Sequence, residues 1–308
     1  MIPSKRLILP YLAIVATALF WGLSYISTKT LLRGLTPFQV AAGRFLVASL
    51  IILVIGLAGR RLKPIERRDL PRVAMAAFFG IFVYFIFENS GLKLTTAGMG
   101  SLIIATIPVL NVIYSAIFLK RSIPGNAWIG VILSLAGVFL VIRAGASLSL
   151  TSFWGNLLVL GAAAAWVAYT QLNQPLSEKY DSFSLNLYQT LFGTVLLTLL
   201  ALGEGKPLPG FTPALGLNLL FLGFCCSALG YIFYLYALKR LGATIVTTFI
   251  NFIPVFGVIG GVLILGEPFG WDQLLGGFII FGGVMLVSRS HGKTVPPKTT
   301  TGQTRITA

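Results

Sequence analysis

Three ionisable side chains, Lys29, Arg44 and Glu88, fall inside long apolar runs, where a charge needs a reason. Placing such a group at the centre of a membrane-spanning helix costs roughly 2.5–3.5 kcal/mol on insertion scales. Charges that persist there bind a substrate, carry a proton or pair with one another. Counting from the flanking loops puts all three in the outer part of a bilayer, one on each of the first three runs. Two readings stay open. In one, the trio forms a gate or a site for a substrate carboxylate, with Glu88 as partner or proton carrier. In the other, Lys29 snorkels to the headgroups and an Arg44–Glu88 charge pair ties two helices together.

Pro108 and Pro254 each stand in the middle of an apolar run. Proline removes a backbone donor and leaves a carbonyl unpaired, so each should kink its helix and offer polar backbone to a cavity. Thr106 and Asn111 flank the first proline, and Asn251 lies one turn before the second. Trp21 and Trp166 lie in two further runs, and Tyr84, Tyr114, Tyr169, Tyr231 and Tyr234 add rings with polar tips. The candidate substrate-binding wall is therefore Trp21, Tyr84, Thr106, Pro108, Asn111, Trp166, Tyr169, Asn251 and Pro254, with the two prolines facing each other. Such a lining suits small amphipathic organic solutes.

Other chemistries are excluded. The single histidine, His291, lies in a polar tail, and the two cysteines, Cys225 and Cys226, are neighbours in an apolar run. A bridge between adjacent cysteines is strained, so they are read as buried thiols. Neither a cysteine–histidine metal site nor a histidine triad can then occupy the core, and no metal or cofactor is expected. Gly292-Lys293-Thr294 resembles a phosphate-binding loop, but Val287 stands where the earlier glycine belongs, and the strand and helix around such a loop are missing. No ATP-driven pump is encoded in this sequence.

The elements that must position these residues follow from composition. Of 308 residues, 56% are hydrophobic and 10% charged, with a mean hydropathy of +0.90. Soluble domains carry roughly 25% charged residues, so this chain cannot coat itself for water. Apolar runs of spanning length cover 8–32, 36–57, 72–92, 97–119, 126–142, 154–173, 183–203, 213–238, 242–265 and 270–288. Runs of about 20 residues argue for helices rather than barrel strands. The first resembles a signal peptide, with Lys5, Arg6 and Ala16-Thr17-Ala18, but it continues to Leu32 and further spans follow, so it is read as retained. The expectation is an all-α membrane protein with ten transmembrane helices.

With the N-terminus placed inside, seventeen basic residues fall in inner loops and four in outer ones. That bias accounts for the net charge of +15 without a nucleic-acid partner, and it places both termini in the cytoplasm of a multi-pass inner (plasma) membrane protein. The expected partners are a small-molecule substrate and the lipid bilayer, and the reading allows a homodimer.

Residues 91–143 match residues 237–289 at a constant offset of 146, with 16 identities in 53 positions. They include Ile104/Ile250, Ile107/Ile253, Pro108/Pro254, Gly130/Gly276 and Gly137/Gly283. Upstream, Trp21 stands opposite Trp166 and Phe38 opposite Phe183, at an offset of 145. Each half holds five spans, an odd number, so the second half enters from the opposite side as an inverted repeat. The expected divisions are 1–147 and 148–289, each a five-helix repeat, and 290–308, a disordered cytoplasmic tail.

Phe20-Trp21-Gly22 with Lys29, Pro37 with Arg44, and Leu265-Gly266-Glu267 before Leu275-Gly276-Gly277 resemble the EamA family of the drug/metabolite transporter superfamily. The resemblance covers about residues 8–289. It implies a secondary transporter, not driven by ATP, that exports small organic metabolites such as amino acids by alternating access. The sequence departs from the family pattern at Lys120-Arg121, where the first half often carries a Gly-Glu pair. An integral membrane enzyme acting on lipid or prenyl chains is the alternative, and a scaffold or receptor a third.

Overall fold

The computed structural model describes residues 5–59, 62–120, 122–208 and 210–291. Most of the expected tail, with Gly292-Lys293-Thr294, lies outside the described residues. The helices are α1 (Lys5–Leu31), α2 (Pro37–Ala58), α3 (Leu70–Ala77), α4 (Tyr84–Leu94), α5 (Ala97–Ile104), α6 (Ile107–Ile117), α7 (Gly125–Leu148), α8 (Leu150–Lys179), α9 (Ser182–Gly203), α10 (Pro213–Leu220), α11 (Gly230–Phe249), α12 (Ile253–Leu265) and α13 (Trp271–His291). Some join end to end, so the described residues hold eight helices long and apolar enough to cross a membrane. Two shorter apolar helices, Ile250–Leu265 and Trp271–Val287, stand where the ninth and tenth spans were expected.

Short polar signals start these rods. Thr36 accepts from the Gln39 amide while the Gln39 side chain accepts from the Thr36 amide, and Pro37 opens α2 with a φ already suited to a helix. Thr96, Ser149, Asp181 and Thr212 cap α5, α8, α9 and α10 in the same manner.

The two prolines do not kink continuous helices. Each stands in the first turn of a new helix, α6 or α12, after a break at 105–106 or a 3-10 turn at Ile250–Phe252. The missing N–H of proline falls there among donors that have no intrahelical partner in any case. The chain breaks where a kink was expected, and both rings are buried.

A π-helical turn joins α3 to α4 (Phe78–Val83), and another joins α10 to α11 (Phe221–Leu229). Their last residues are 146 apart, the repeat offset. Such turns displace carbonyls from the regular ladder, and buried side chains take them up. Asn186 donates to the Ser227 and Ala228 carbonyls, Trp21 Nε1 to Cys226 O at 2.9 Å, and the Tyr231 hydroxyl to Gly80 O at 3.0 Å.

Burial is inverted relative to a water-soluble protein. Asn156, Asn173, Asn186 and Gln189 are fully buried, while Leu50, Leu199, Phe139 and Phe278 each expose more than half their surface. Lipid is the solvent for that exterior. Cys226 is a buried free thiol, as expected, and Cys225 is partly buried.

Four helix pairs make the densest contacts: α7 with α13, α4 with α8, α1 with α11, and α2 with α9. The α7–α13 seam is lined by glycine. Gly130 meets the backbone of Gly283, Gly137 meets that of Gly276, and Ser134 Oγ donates to Ile280 O at 3.2 Å. Between α2 and α9, the Ser49 and Thr194 hydroxyls share a 2.8 Å hydrogen bond.

The loops gather at two ends. At one, Lys179 joins Glu66 and Asp69 at 2.7 Å each, the Tyr180 hydroxyl donates to Asp69, and Lys239 reaches Tyr180 O. Hydrogen bonding from Lys179 holds the exposed Glu66 carboxyl below the usual range. At the other end, Thr36 donates to Glu204, and Gln39 donates to the 206–207 carbonyls.

Candidate functional site

A small cavity lies at the centre of the bundle, and its walls come in matched pairs. Trp21 of α1 stands against Trp166 of α8, ring centroids 5.0 Å apart and nearly perpendicular. Ile104 and Ile250, and Ile107 and Ile253, line it from the broken spans, and Phe85 of α4 and Tyr231 of α11 add a further pair. Each of the last three pairs is separated by the offset 146. The atom-free space is about 350 Å³, with only about 20 Å³ where the centre of a water fits. As the walls stand, that is room for a water and not for a metabolite, so a solute fits only when the walls part.

Its polar equipment is asymmetric. Arg44 of α2 donates from Nε to the Ser227 hydroxyl at 2.6 Å, and its guanidinium lies 4.5 Å from the centroid of the Phe85 ring. Glu88 of α4 accepts from the Tyr84 hydroxyl at 2.7 Å. The Tyr25 hydroxyl and Trp166 Nε1 are buried without hydrogen-bond partners among the described residues. Tyr84 and Tyr25 line the cavity too. Behind this layer Tyr169 packs on Trp166 at 4.7 Å, and Tyr234 shares a 2.7 Å hydrogen bond with Thr170.

The expected site divides on inspection. Trp21, Tyr84 and Trp166 line the cavity, and Tyr169 supports it from behind. Neither Pro108 nor Pro254 lines it; the isoleucines just before them, Ile107 and Ile253, do. Thr106 spends its hydroxyl on Ile103 O, and Asn111 accepts from Gln171, tying α6 to α8. Asn251 and Pro254 line a separate apolar groove with Phe269 and Phe278. Ser24, Tyr25 and Phe85 were missed. No single-residue signal marks them, although Phe85 sits one repeat offset from Tyr231.

The charged trio divides as well. Arg44 and Glu88 reach the central cavity, whereas Lys29 stays at the end of the bundle that holds residues 93–97. Nor do Arg44 and Glu88 pair. Among the described residues the ion pairs join Glu66 and Asp69 to Arg68 and Lys179.

Lys29 and Glu267 instead grip the joint between α4 and α5. Lys29 donates to Leu92 O at 2.9 Å and Thr95 O at 2.7 Å, where α4 leaves carbonyls unpaired. Glu267 accepts from the amides of Ala97 and Gly98 at 2.9 and 3.2 Å, where α5 leaves donors unpaired. Gly266 ends α12 at φ 65, a left-handed conformation that turns the chain so that Glu267 arrives there. Its counterpart one offset earlier, Lys120, keeps the left-handed φ of 49 without the glycine. Loss of such a cap costs about 0.5–2 kcal/mol. Glu267→Ala should therefore lower the thermal unfolding midpoint of the purified protein, and Glu267→Gln, which keeps one acceptor, should lower it less. An alanine variant that melts with the wild type would show the contact to be idle.

The apolar helices, eight of spanning length among the described residues, define a polytopic helical membrane protein. The profile of the EamA-like transporter family matches residues 8–143 and again residues 153–289. This chain belongs to the EamA-like transporter family. An uncharacterized transporter of Archaeoglobus fulgidus is 29% identical over 281 residues, covering 91% of this chain and 99% of its own. A second from that organism is 30% identical, covering 90% and 96%. A protein of Streptantibioticus cattleyicolor described as a "probable terminal-alkyne amino-acid exporter" is 28% identical over 278 residues, covering 90% and 92%. A solved crystal structure shares the fold at TM-score 0.69 and 19% identity, covering 95% of this chain and 99% of its own.

Proposed function

We propose that this transporter exports small organic metabolites, amino acids among them, by alternating access between two inverted five-span repeats. The observation that carries the reading is a small buried cavity in which eight of the thirteen wall residues are each other's repeat mates. A residue that touches its own mate lies on the axis relating the halves. Trp21 and Trp166, and Ser49 and Thr194, do so. The glycine seam obeys the same rule: exchanging the halves turns the Gly130–Gly283 contact into the Gly276–Gly137 contact. A site on such an axis opens to either face when one half rocks against the other. The ten spans comprise the eight long helices and the two shorter ones, with repeats at 1–147 and 148–289. The excess of basic residues in the inner loops supports a plasma-membrane protein with both termini in the cytoplasm.

Reporter fusions after Arg68 and at Arg305 should read cytoplasmic, and one after Ser147 external. Purified protein in liposomes should exchange labelled for unlabelled solute in counterflow against a panel of amino acids and small organic metabolites. An external C-terminus would overturn the inversion, and no exchange of any panel member would overturn the transport reading.

A further inference from the structure

Arg44 and Glu88 are buried to 2% and 4% exposure in one cavity, yet neither neutralises the other. Taking a charge out of water costs several kcal/mol unless a partner and hydrogen bonds replace the solvent. Buried opposite charges close enough to share a cavity would ordinarily close into an ion pair. Here each is held in place by something else. Ser227 fixes the Nε of Arg44 and the Phe85 ring lies under its guanidinium, while Tyr84 fixes one oxygen of Glu88. Among the described residues the terminal guanidinium nitrogens donate no hydrogen bond, although each carries two N–H groups. Glu88 accepts one hydrogen bond where a carboxylate can take about four. The Tyr25 hydroxyl is buried beside Glu88 and Tyr84 in the same cavity.

We infer that the gap between Arg44 and Glu88 is the seat of a zwitterion, an α-amino acid whose carboxylate meets Arg44 and whose ammonium meets Glu88. A planar guanidinium with both terminal nitrogens open matches a carboxylate in two-point fashion. An ammonium donates to Glu88 and lies among the Tyr84, Trp21 and Trp166 rings, whose faces attract cations. The rest of the wall is four isoleucines, the Tyr25, Phe85 and Tyr231 rings and Ser24, with no third charge, so the side chain of the ligand is neutral and largely apolar. The second half lacks this equipment: Gln189 stands one offset from Arg44, and Tyr234 one offset from Glu88. Both charged contacts therefore come from the first half, and the second half supplies Ser227 and the Trp166 and Tyr231 rings.

This inference rests on the transport reading, and its test separates the two. Equilibrium binding to the purified full-length protein is measured for L-leucine, 4-methylpentanoate and 3-methylbutylamine, and for L-phenylalanine, 3-phenylpropanoate and 2-phenylethylamine. At least one amino acid should bind about tenfold or more tighter than either of its single-charge analogues. Arg44→Gln should bring its affinity down to that of the amine, and Glu88→Gln down to that of the acid. A role confined to holding the fold would weaken all ligands alike, and that result overturns the assignment. So does an analogue that binds as tightly as its parent, a measurement that needs no variant. Counterflow of other metabolites with no binding of either amino acid overturns the zwitterion and leaves transport standing. Absence of any counterflow overturns transport itself, and the zwitterion seat with it.

Discussion

Gly80→Ala is expected to reduce counterflow at least tenfold, although the change adds one methyl group far from any loop. Gly80 lies in the π turn between α3 and α4, with the Tyr169 ring directly over it. A Cβ there would overlap the base of that ring and stand 2.8 Å from Cε2. The ring cannot swing aside, because it is fully buried and held by Trp166, Tyr231 and Tyr234, with centroids 4.7, 5.9 and 6.0 Å away. The Gly80 carbonyl also takes the Tyr231 hydroxyl, so a shift of this backbone moves a cavity wall. Overpacking of this kind costs about 1–3 kcal/mol, and the cavity is where it is relieved. Thermal melts and counterflow on the same preparation check the result. In a Tyr169→Ala background the clash is gone, so adding Gly80→Ala should lower the melting temperature no further, and a Gly80→Ala protein that transports normally would refute the account.

The second large effect is expected at the seam between α7 and α13. In Gly283→Leu the new Cβ would lie 2.5 Å from Gly130 O and 2.7 Å from Ser134 N, backbone atoms that cannot retreat unless the helices part. Small residues let helices approach closely in lipid, where dispersion and weak polar contacts replace the hydrophobic effect. Separating them forfeits that contact along its whole length, and the variant should fail to accumulate as folded protein. The control is its neighbour on the same helix. A Cβ at Gly282 meets nothing within 4 Å, so Gly282→Leu should accumulate like the wild type. Monodisperse yield after detergent extraction distinguishes them, and equal yields would discard the seam as a determinant of the fold.

The helical runs were legible in the sequence because lipid demands continuous apolar length, and the capping threonines and breaks sit within a few residues of the expected ends. Trp21 and Trp166 were legible because the repeat aligned them. Depth was harder to read. Lys29, Arg44 and Glu88 looked alike from loop distances, but Lys29 turns back to the α4 carbonyls, whereas Arg44 reaches inward from the unbroken α2 and Glu88 from α4, just after a π turn. No propensity marks a π turn, so the placement of Tyr231 and Cys226 O could not be foreseen. The prolines misled for a related reason. The sequence shows that backbone continuity is lost at Pro108 and Pro254, but which side chain then faces the axis depends on the rotation of the next helix.

The perpendicular contact between Trp21 and Trp166 has a practical consequence. Two indoles 5.0 Å apart share their electronic excitation, and a chiral arrangement of such a pair gives a coupled signal in near-ultraviolet circular dichroism. The other tryptophans, Trp128, Trp154 and Trp271, are each exposed by 41% or more, well away from this contact. Because one indole belongs to each half, the proposed rocking of one half against the other would change their separation. The unlabelled protein thus carries its own optical gauge of opening, readable in solution without dyes or cysteine chemistry.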